Sequence, residues 1–78
     1  MSPAVLSDIT VLEVAEGVAG PFCGRMLAAF GANVIKVERP PLGDWTRWEE
    51  PQLTGLQPPE SGALYLYNNM GKKSVTID

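Results

Sequence analysis

The pattern of apolar and polar positions in the first half of the chain predicts a strand, a helix and a second strand. A short, β-branched and mostly apolar run over 10–15 (TVLEVA) indicates a buried strand. The glycine-containing segment 16–20 (EGVAG) predicts a turn, and Pro21 favours a helix start, where its missing N–H costs nothing. Gly31 is typical of the left-handed residue that ends a helix.

The predicted helix has one apolar face, formed at near-helical spacing by Phe22, Met26, Ala29 and Phe30. A second strand is predicted over 34–38 (VIKVE), and Pro40 and Pro41 end it because proline cannot donate to a strand ladder. Both strands are more apolar than alternating, as is typical of strands covered on both faces. Strand, helix and strand within about thirty residues predict a parallel βαβ unit and an α/β, Rossmann-like fold.

The segment 40–62 has a different character, with five of the seven prolines, both tryptophans and four acidic residues. Structureless loops of this length are usually functional or disordered, and tryptophans argue against disorder. We therefore predict an ordered loop that docks on other structure, within the same domain. Trp45 and Trp48 are interpreted as anchors of this loop, with the lining of a pocket as the alternative. Asp44 and Arg47 are expected to pair across its turn.

The last part of the chain predicts a short helix over 63–69, capped by Gly71, and a third strand over 74–77 (SVTI). A sheet of three short strands leaves edges and one face uncovered. Residues 1–78 are therefore interpreted as part of a larger domain, or as a domain that a partner completes. We expect the isolated chain to be aggregated or molten.

Composition excludes several classes of protein. At 78 residues the chain forms at most one small domain. Cys23 is the only cysteine and there is no histidine, so we expect no disulfide framework, no metal site and no Cys–His nucleophile; Cys23 is predicted to be buried. A net charge of −3 argues against nucleic acid. The chain has no signal-peptide pattern and no long apolar run. We therefore expect a cytoplasmic location and no membrane association.

The first turn between strand and helix is the strongest candidate site. Free N–H groups and the positive end of the helix dipole favour phosphate there, and Gly17 and Gly20 let a ligand approach the backbone. Glu38 lies 21 positions after Gly17, where dinucleotide-binding folds reach a ribose hydroxyl. Arg39 follows it and could pair with a phosphate or face water. EGVAGP is not the usual glycine fingerprint, so a tight turn that needs glycine only for packing remains an alternative.

The remaining polar candidates have equally simple alternatives. Tyr65 and Tyr67 are interpreted as packing residues with a polar tip. Lys72 and Lys73 could contact a phosphate, or face water at a helix C-terminus, where cations are favoured. No pair of carboxylates is placed for acid–base catalysis, so no catalytic residue is predicted within the chain.

The segments 11–40 (VLEVAEGVAGPFCGRMLAAFGANVIKVERP), 43–47 (GDWTR) and 71–78 (GKKSVTID) together resemble the opening of the class III CoA-transferases. This group, of the CaiB/BaiF type, includes formyl-CoA transferases and the related α-methylacyl-CoA racemases. The resemblance implies a Rossmann-like, CoA-binding large domain and an interlocked homodimer. It also implies acyl-CoA and a carboxylic acid as substrates, with no metal. Glu13 replaces the usual aspartate of the first strand, and Gly71 the usual asparagine before the lysines, which leaves the substrate open.

Carried onto this sequence, the resemblance implies that CoA contacts the first turn and the ends of the second and third strands, at Gly17, Val18, Ala19, Arg39, Ile77 and Asp78. Lys72 is a weaker candidate. The family's aspartate nucleophile would lie beyond these residues. An acyl-CoA racemase, a non-catalytic CoA-binding or subunit-interaction module, and a NAD-binding Rossmann domain are the alternatives.

Overall fold

The polypeptide forms a parallel sheet of three strands with helical segments against one of its faces. The structure, a computed structural model, describes residues 5–77. The sheet has the order β1-β2-β3, and both pairings are parallel, which confirms the α/β class and the βαβ unit. The elements are β1 (Thr10–Glu13), α1 (Ala19–Ala29), β2 (Asn33–Glu38), a 3₁₀ helix (Trp45–Trp48), α2 (Ala63–Asn68) and β3 (Lys73–Thr76).

The predicted elements are all present, with small shifts in their ends. β1 stops at Glu13, two residues before the predicted end, and β3 is shifted one residue towards the N-terminus. α1 begins at Ala19, ahead of Pro21. Pro21 still lies in the first helical turn, whose N–H groups have no intrahelical partner, so its ring is tolerated there. Gly31 has φ of 105° and ends the helix as predicted.

The two faces of the sheet differ in chemistry because the strand period of two separates neighbouring residues. In β2 the buried residues are Val34, Lys36 and Glu38, and the parallel register sets Lys36 between Glu13 and Ser74. We call this side the covered face. The other side, the open face, carries Leu12, Val14, Ile35, Val37, Val75 and Ile77. Val14 is 80% exposed and Ile77 is 59% exposed. Among the described residues the sheet is therefore covered on one face only.

Helix α1 packs on the covered face through its small residues. Pro21 and Gly24 are its buried positions. A Cβ on Gly24 would overlap the carboxylate of Glu13, and one on Gly20 would lie 2.7 Å from the Cβ of Ala15, so the close approach requires glycine. The predicted apolar face is wrong as a core-facing surface, because its large side chains point outward. Exposed residues of α1 include Phe22, Met26 and Ala29, with Phe30 at its C-cap. The prediction that Cys23 is buried is also wrong, because it lies on the exposed side of α1.

The segment 40–62 makes hydrogen bonds within itself. Asp44 caps the 3₁₀ helix by accepting from the Thr46 N–H at 2.9 Å. The Trp48 indole donates to the carbonyl of Leu42 at 2.9 Å. An antiparallel bridge between 52 and 62 closes the loop. Its inner residues pack on the covered face. None of the helices within 5–77 has the length and apolarity to cross a bilayer.

Candidate functional site

The carboxyl ends of the parallel strands open onto two clefts at one edge of the sheet. The first, the strand-end cleft, has a volume of about 510 Å³ and is lined by Val14, Ala15, Glu16, Val37, Glu38, Arg39 and Ile77. The second, the tryptophan cleft, has a volume of about 450 Å³ and is lined by Glu16, Arg39, Pro40, Pro41, Leu42, Gly43, Trp45, Trp48 and Glu49. Glu16 and Arg39 line both clefts, so the two are neighbours.

The site residues implied by resemblance lie at this edge, as far as the structure describes them. Arg39 and Ile77 line the strand-end cleft. Val18 is the N-cap of α1 and is half exposed, and Ala19 is the first helical residue. Asp78 lies outside the described residues. Carboxyl ends of parallel strands are where open α/β sheets bind their ligands.

Gly17 holds the first turn in a conformation that needs glycine. Its φ is 91°, and its N–H donates to the two carboxylate oxygens of Asp44 at 3.2 and 3.3 Å. A Cβ at this position would lie 3.0 Å from the indole of Trp45. The packing alternative for Gly17 is therefore supported, because its N–H is already bound within the protein.

Glu38 is the acceptor of a buried hydrogen-bond cluster, and its predicted role as a ribose ligand is wrong. Arg47 binds it with two N–H groups, each at 2.7 Å. Tyr65 and Ser74 donate hydroxyl groups, and Asp44 donates its backbone N–H at 2.8 Å. Burial acts to raise the pKa of Glu38, but the hydrogen bonds from Arg47 and the other donors outweigh it and lower the pKa to about 2.

The expected pairing of Asp44 with Arg47 is also wrong, because each has another partner. Asp44 is fully buried and lies 2.8 Å from the ammonium of Lys36. Burial opposes its charge, yet the hydrogen bonds from Lys36 and Thr46 lower its pKa below the usual value. The hydrogen bonds to Glu38 raise the pKa of the Arg47 guanidinium. The strand period explains the exchange, since it turns Lys36 and Glu38 to the same covered face.

Lys72 also points into the protein, in contrast to both interpretations made from the sequence. Its ammonium donates to the Pro21 carbonyl at 2.8 Å and to the Asn69 side chain at 2.7 Å. It lies 2.6 Å from Glu13 as an ion pair. Burial lowers the pKa of Lys72, and the opposing charge of Glu13 limits that decrease. Lys73, on β3, is exposed.

Comparison with known proteins identifies the family. A family model described as CoA-transferase family III matches residues 6–78. The chain belongs to CoA-transferase family III. It is 45% identical over 75 residues to a succinate–glutarate CoA-transferase from Agrobacterium fabrum, covering 94% of this chain and 19% of that protein. It is 43% identical over 74 residues to a formyl-CoA:oxalate CoA-transferase from Rhodopseudomonas palustris, covering 94% of this chain and 16% of that protein.

Solved structures agree with this assignment. A CAIB/BAIF family protein from Brucella suis matches with a TM-score of 0.81 and 40% identity, over 99% of this chain and 20% of that one. Rv3272 from Mycobacterium tuberculosis matches with a TM-score of 0.80 and 43% identity, over 96% of this chain and 20% of that one. This family III chain therefore spans about one fifth of the length of these relatives.

The aromatic residues of this family III chain divide between packing and the clefts. Tyr65 is buried with its hydroxyl bonded to Glu38, as predicted, whereas Tyr67 is 54% exposed with Arg25 above its ring. Trp45 and Trp48 are 47% and 44% exposed. They contact their own loop and turn, and they also line the tryptophan cleft, so both interpretations apply. Among residues 5–77 no group of His, Cys, Asp and Glu is placed to hold a metal.

Sequence reasoning missed the cluster formed by Glu13, Lys36, Asp44 and Lys72, which we call the charge network. A signal for it was present in VIKVE, where period-two alternation sets Lys36 and Glu38 on the same side as Val34. Because these two charged residues alternate with the apolar residues of the open face, they indicate a polar interior on the other face. Their partners in the loop and after α2 carry no local signal, since they are distant in sequence.

Proposed function

We propose that this chain is part of the CoA-binding domain of a CoA-transferase, which moves CoA from an acyl-CoA donor to a carboxylic acid. Family membership supports CoA transfer, and relatives of this chain are named for succinate and glutarate, for succinyl-CoA and D-citramalate, and for formyl-CoA and oxalate. The observation that carries the proposal within the structure is the convergence of the strand ends and the first turn on adjacent clefts.

The nucleotide end of CoA is proposed to lie at the strand-end cleft. Arg39 offers a planar guanidinium that can bind the 3′-phosphate through two N–H groups. Val18 and Ala19 are at the start of α1, where backbone N–H groups and the helix dipole favour phosphate. Gly17 would contribute the shape of the turn. Ile77 and Asp78 would complete the site at the end of β3.

The lining of the strand-end cleft agrees with an amphipathic ligand of this kind. Val14, Val37 and Ile77 form apolar walls, while Arg39 supplies a cation at the rim. CoA combines an adenine ring and a pantetheine chain with three phosphate groups, so it needs both types of contact.

The reaction itself is proposed to use an aspartate outside residues 1–78. Its carboxylate would attack the donor thioester, releasing the CoA thiolate and leaving an acyl anhydride on the enzyme. The thiolate would then attack the aspartyl carbonyl of the anhydride, which releases the donor acid and leaves an enzyme thioester. The acceptor carboxylate would attack the carbonyl of that thioester, which releases the CoA thiolate and forms a second anhydride. The thiolate would finally attack the acceptor carbonyl of this anhydride, which forms the acceptor's CoA thioester and restores the aspartate carboxylate. Dividing a difficult exchange into such steps is covalent catalysis.

The functional enzyme is proposed to be a cytoplasmic, interlocked homodimer.

The activity is tested with the full-length protein, succinyl-CoA as donor and a panel of dicarboxylic acids as acceptors. Mass spectrometry should detect the acceptor's CoA ester and an equal amount of free succinate. Epimerisation of a 2-methylacyl-CoA without transfer would favour the racemase alternative instead. Titration with CoA, 3′-dephospho-CoA and NAD should show the tightest binding for CoA, and preference for NAD would contradict the proposed ligand.

Arg39 supplies the sharpest test of the proposed binding mode. In the full-length protein, Arg39→Ala should weaken CoA binding by about ten-fold or more, because a charge-assisted hydrogen bond to phosphate is lost. Affinity for 3′-dephospho-CoA should change much less. Arg25→Ala is the matched control. Arg25 belongs to α1, and its guanidinium lies over the ring of Tyr67, away from the two clefts. Equal CoA affinity in Arg39→Ala and wild type would remove Arg39 from the site.

A further inference from the structure

The first turn is held from inside the protein by charged side chains. In residues 15–21, which we call the turn segment, three backbone groups are bound in this way. The Ala15 carbonyl accepts from the Lys36 ammonium at 3.0 Å. The Gly17 N–H donates to Asp44 at 3.2 Å, and the Pro21 carbonyl accepts from Lys72 at 2.8 Å. The turn segment is therefore fixed at its start, its middle and its helical end.

These contacts belong to the charge network, whose charges balance. Lys36 lies 2.8 Å from both Glu13 and Asp44, and Lys72 lies 2.6 Å from Glu13. None of the four side chains is more than 6% exposed. The members come from β1, from β2, from the loop before the 3₁₀ helix and from the residues after α2. Elements distant in sequence therefore converge on one short backbone segment.

Stability alone does not account for this arrangement. Burying charged groups carries a desolvation cost that their attraction repays only with good geometry, and apolar side chains often replace such groups without loss. Apolar side chains could fill the same space, but they could not bind the backbone groups of Ala15, Gly17 and Pro21. What the charges add is a defined position for those groups.

We infer that Lys36, Asp44 and Lys72 are positioning residues that hold the turn segment in the shape that binds CoA. The inference rests on the proposed function for the identity of the ligand. None of the three is a direct ligand in this scheme, since all are buried behind the turn. Their loss should therefore weaken CoA and 3′-dephospho-CoA by the same factor, whereas the loss of Arg39 should affect CoA selectively.

The test compares Lys72→Met with Lys73→Met in the full-length protein. The two changes are chemically identical, but Lys72 is buried against Pro21 and Lys73 is exposed on β3. Without ligand, amide hydrogen exchange in residues 15–21 should become about ten-fold faster in Lys72→Met, because the Pro21 carbonyl at the start of α1 loses its bond to the ammonium. Exchange in α2 and at the exposed loop tip should change less, and Lys73→Met should match wild type.

Binding is measured on the same proteins. Lys72→Met should weaken CoA and 3′-dephospho-CoA equally, by about ten-fold, and should raise KM more than it lowers kcat. Asp44→Asn and Asp44→Ala form a second pair, for use where Lys72→Met does not fold. Asparagine keeps an oxygen acceptor for the Gly17 N–H, so it should recover part of the affinity that alanine loses.

Several results would overturn the inference. Loss of CoA affinity with retained 3′-dephospho-CoA affinity would make Lys72 a direct phosphate ligand. Faster exchange everywhere, with CoA affinity unchanged under conditions where the protein is folded, would leave only a general structural role. Unchanged exchange at 15–21 would remove the proposed mechanism. The exchange measurement uses no ligand, so a wild-type protein that fails to bind CoA would contradict the proposed function without deciding this result.

Discussion

Burial alone would predict apolar side chains on the covered face of the sheet and polar side chains on its open face, and the structure shows the reverse. Lys36, Glu38 and Asp44 are almost fully buried on the covered side, whereas Leu12 and Val14 on the other side are mostly exposed. Charged residues are rarely buried unless they are paired, and here each of them is. Order within this part of the protein therefore depends on directional polar contacts, while its apolar surface faces outward.

Close packing explains why long polar side chains occupy the covered side. The glycines of α1 bring the helix backbone against the strands, which leaves narrow space that extended side chains can fill. Lys36 and Lys72 bury their methylene stems and place their ammonium groups at the end of that space. Bulky branched side chains on α1 would not fit there, and its large apolar residues consequently point away from the sheet.

Lys36→Met should produce the largest effect, because it leaves Glu13 and Asp44 buried without their shared cation. Removing one partner of a buried ion pair costs about 3–5 kcal/mol. In the full-length protein, the free energy of opening around β2, measured by hydrogen exchange, should fall by about that amount. Lys73→Met is the control and should have little effect. A stability equal to wild type in Lys36→Met would show that the covered face does not depend on its charges.

Acid should weaken the buried hydrogen-bond cluster, because its acceptor Glu38 becomes protonated. Its pKa of about 2 lies below the ordinary value of 4.5, so its contribution is complete above pH 4.5 and is lost as the pH falls towards 2. Glu38→Gln should cost about 1.5–3 kcal/mol at neutral pH, as expected for hydrogen bonds to a charged group. It should also flatten the acid dependence of local opening near Arg47. Exposed Glu50→Gln should keep the wild-type profile, and an unchanged profile in Glu38→Gln would contradict this account.

The open face should give the smallest effect on folding and a clear effect on association. Val14→Thr and Ile77→Thr alter side chains that are mostly exposed, so the folding free energy should change by less than about 0.5 kcal/mol. Light scattering of the 78-residue chain should show less self-association in this double variant, because an exposed apolar sheet face promotes it. Leu53→Thr, in the exposed loop, should not reduce association. A monomeric and cooperatively melting wild-type chain would contradict the expectation.

Local patterns were sufficient to predict the strands, the helices and the α/β class. The glycine at 31 and the β-branched run before the first turn report on their own immediate conformation, and the structure agrees with them. The orientation of α1 was not predictable in this way. Its apolar periodicity identifies Phe22, Met26 and Phe30 as one face, but periodicity does not say that the glycines on another face pack more closely against the sheet.

The candidate site was only partly predictable, for a related reason. Strand ends in a parallel sheet meet at one edge, so the proximity of Arg39 to the first turn follows from the topology. The partners of Glu38 and Asp44 do not, since both carboxylates bind groups brought together by tertiary folding. Proximity in sequence suggests a pair between Asp44 and Arg47. In the folded chain the sheet instead provides the ammonium of Lys36 to Asp44 and the carboxylate of Glu38 to Arg47.

Glu38 and Arg39 are adjacent, yet Glu38 is buried with its carboxylate in the interior cluster, whereas Arg39 is exposed beside the clefts. Their opposite directions follow from the strand period at the end of β2. Inserting or deleting a single residue within that strand would reverse them, sending the guanidinium inward and the bonded carboxylate into solvent. Related sequences should therefore vary freely in length at the exposed loop tip around Gly55, where a side chain would meet open space. They should keep a fixed spacing from Val34 to Arg39, whichever residues occupy it.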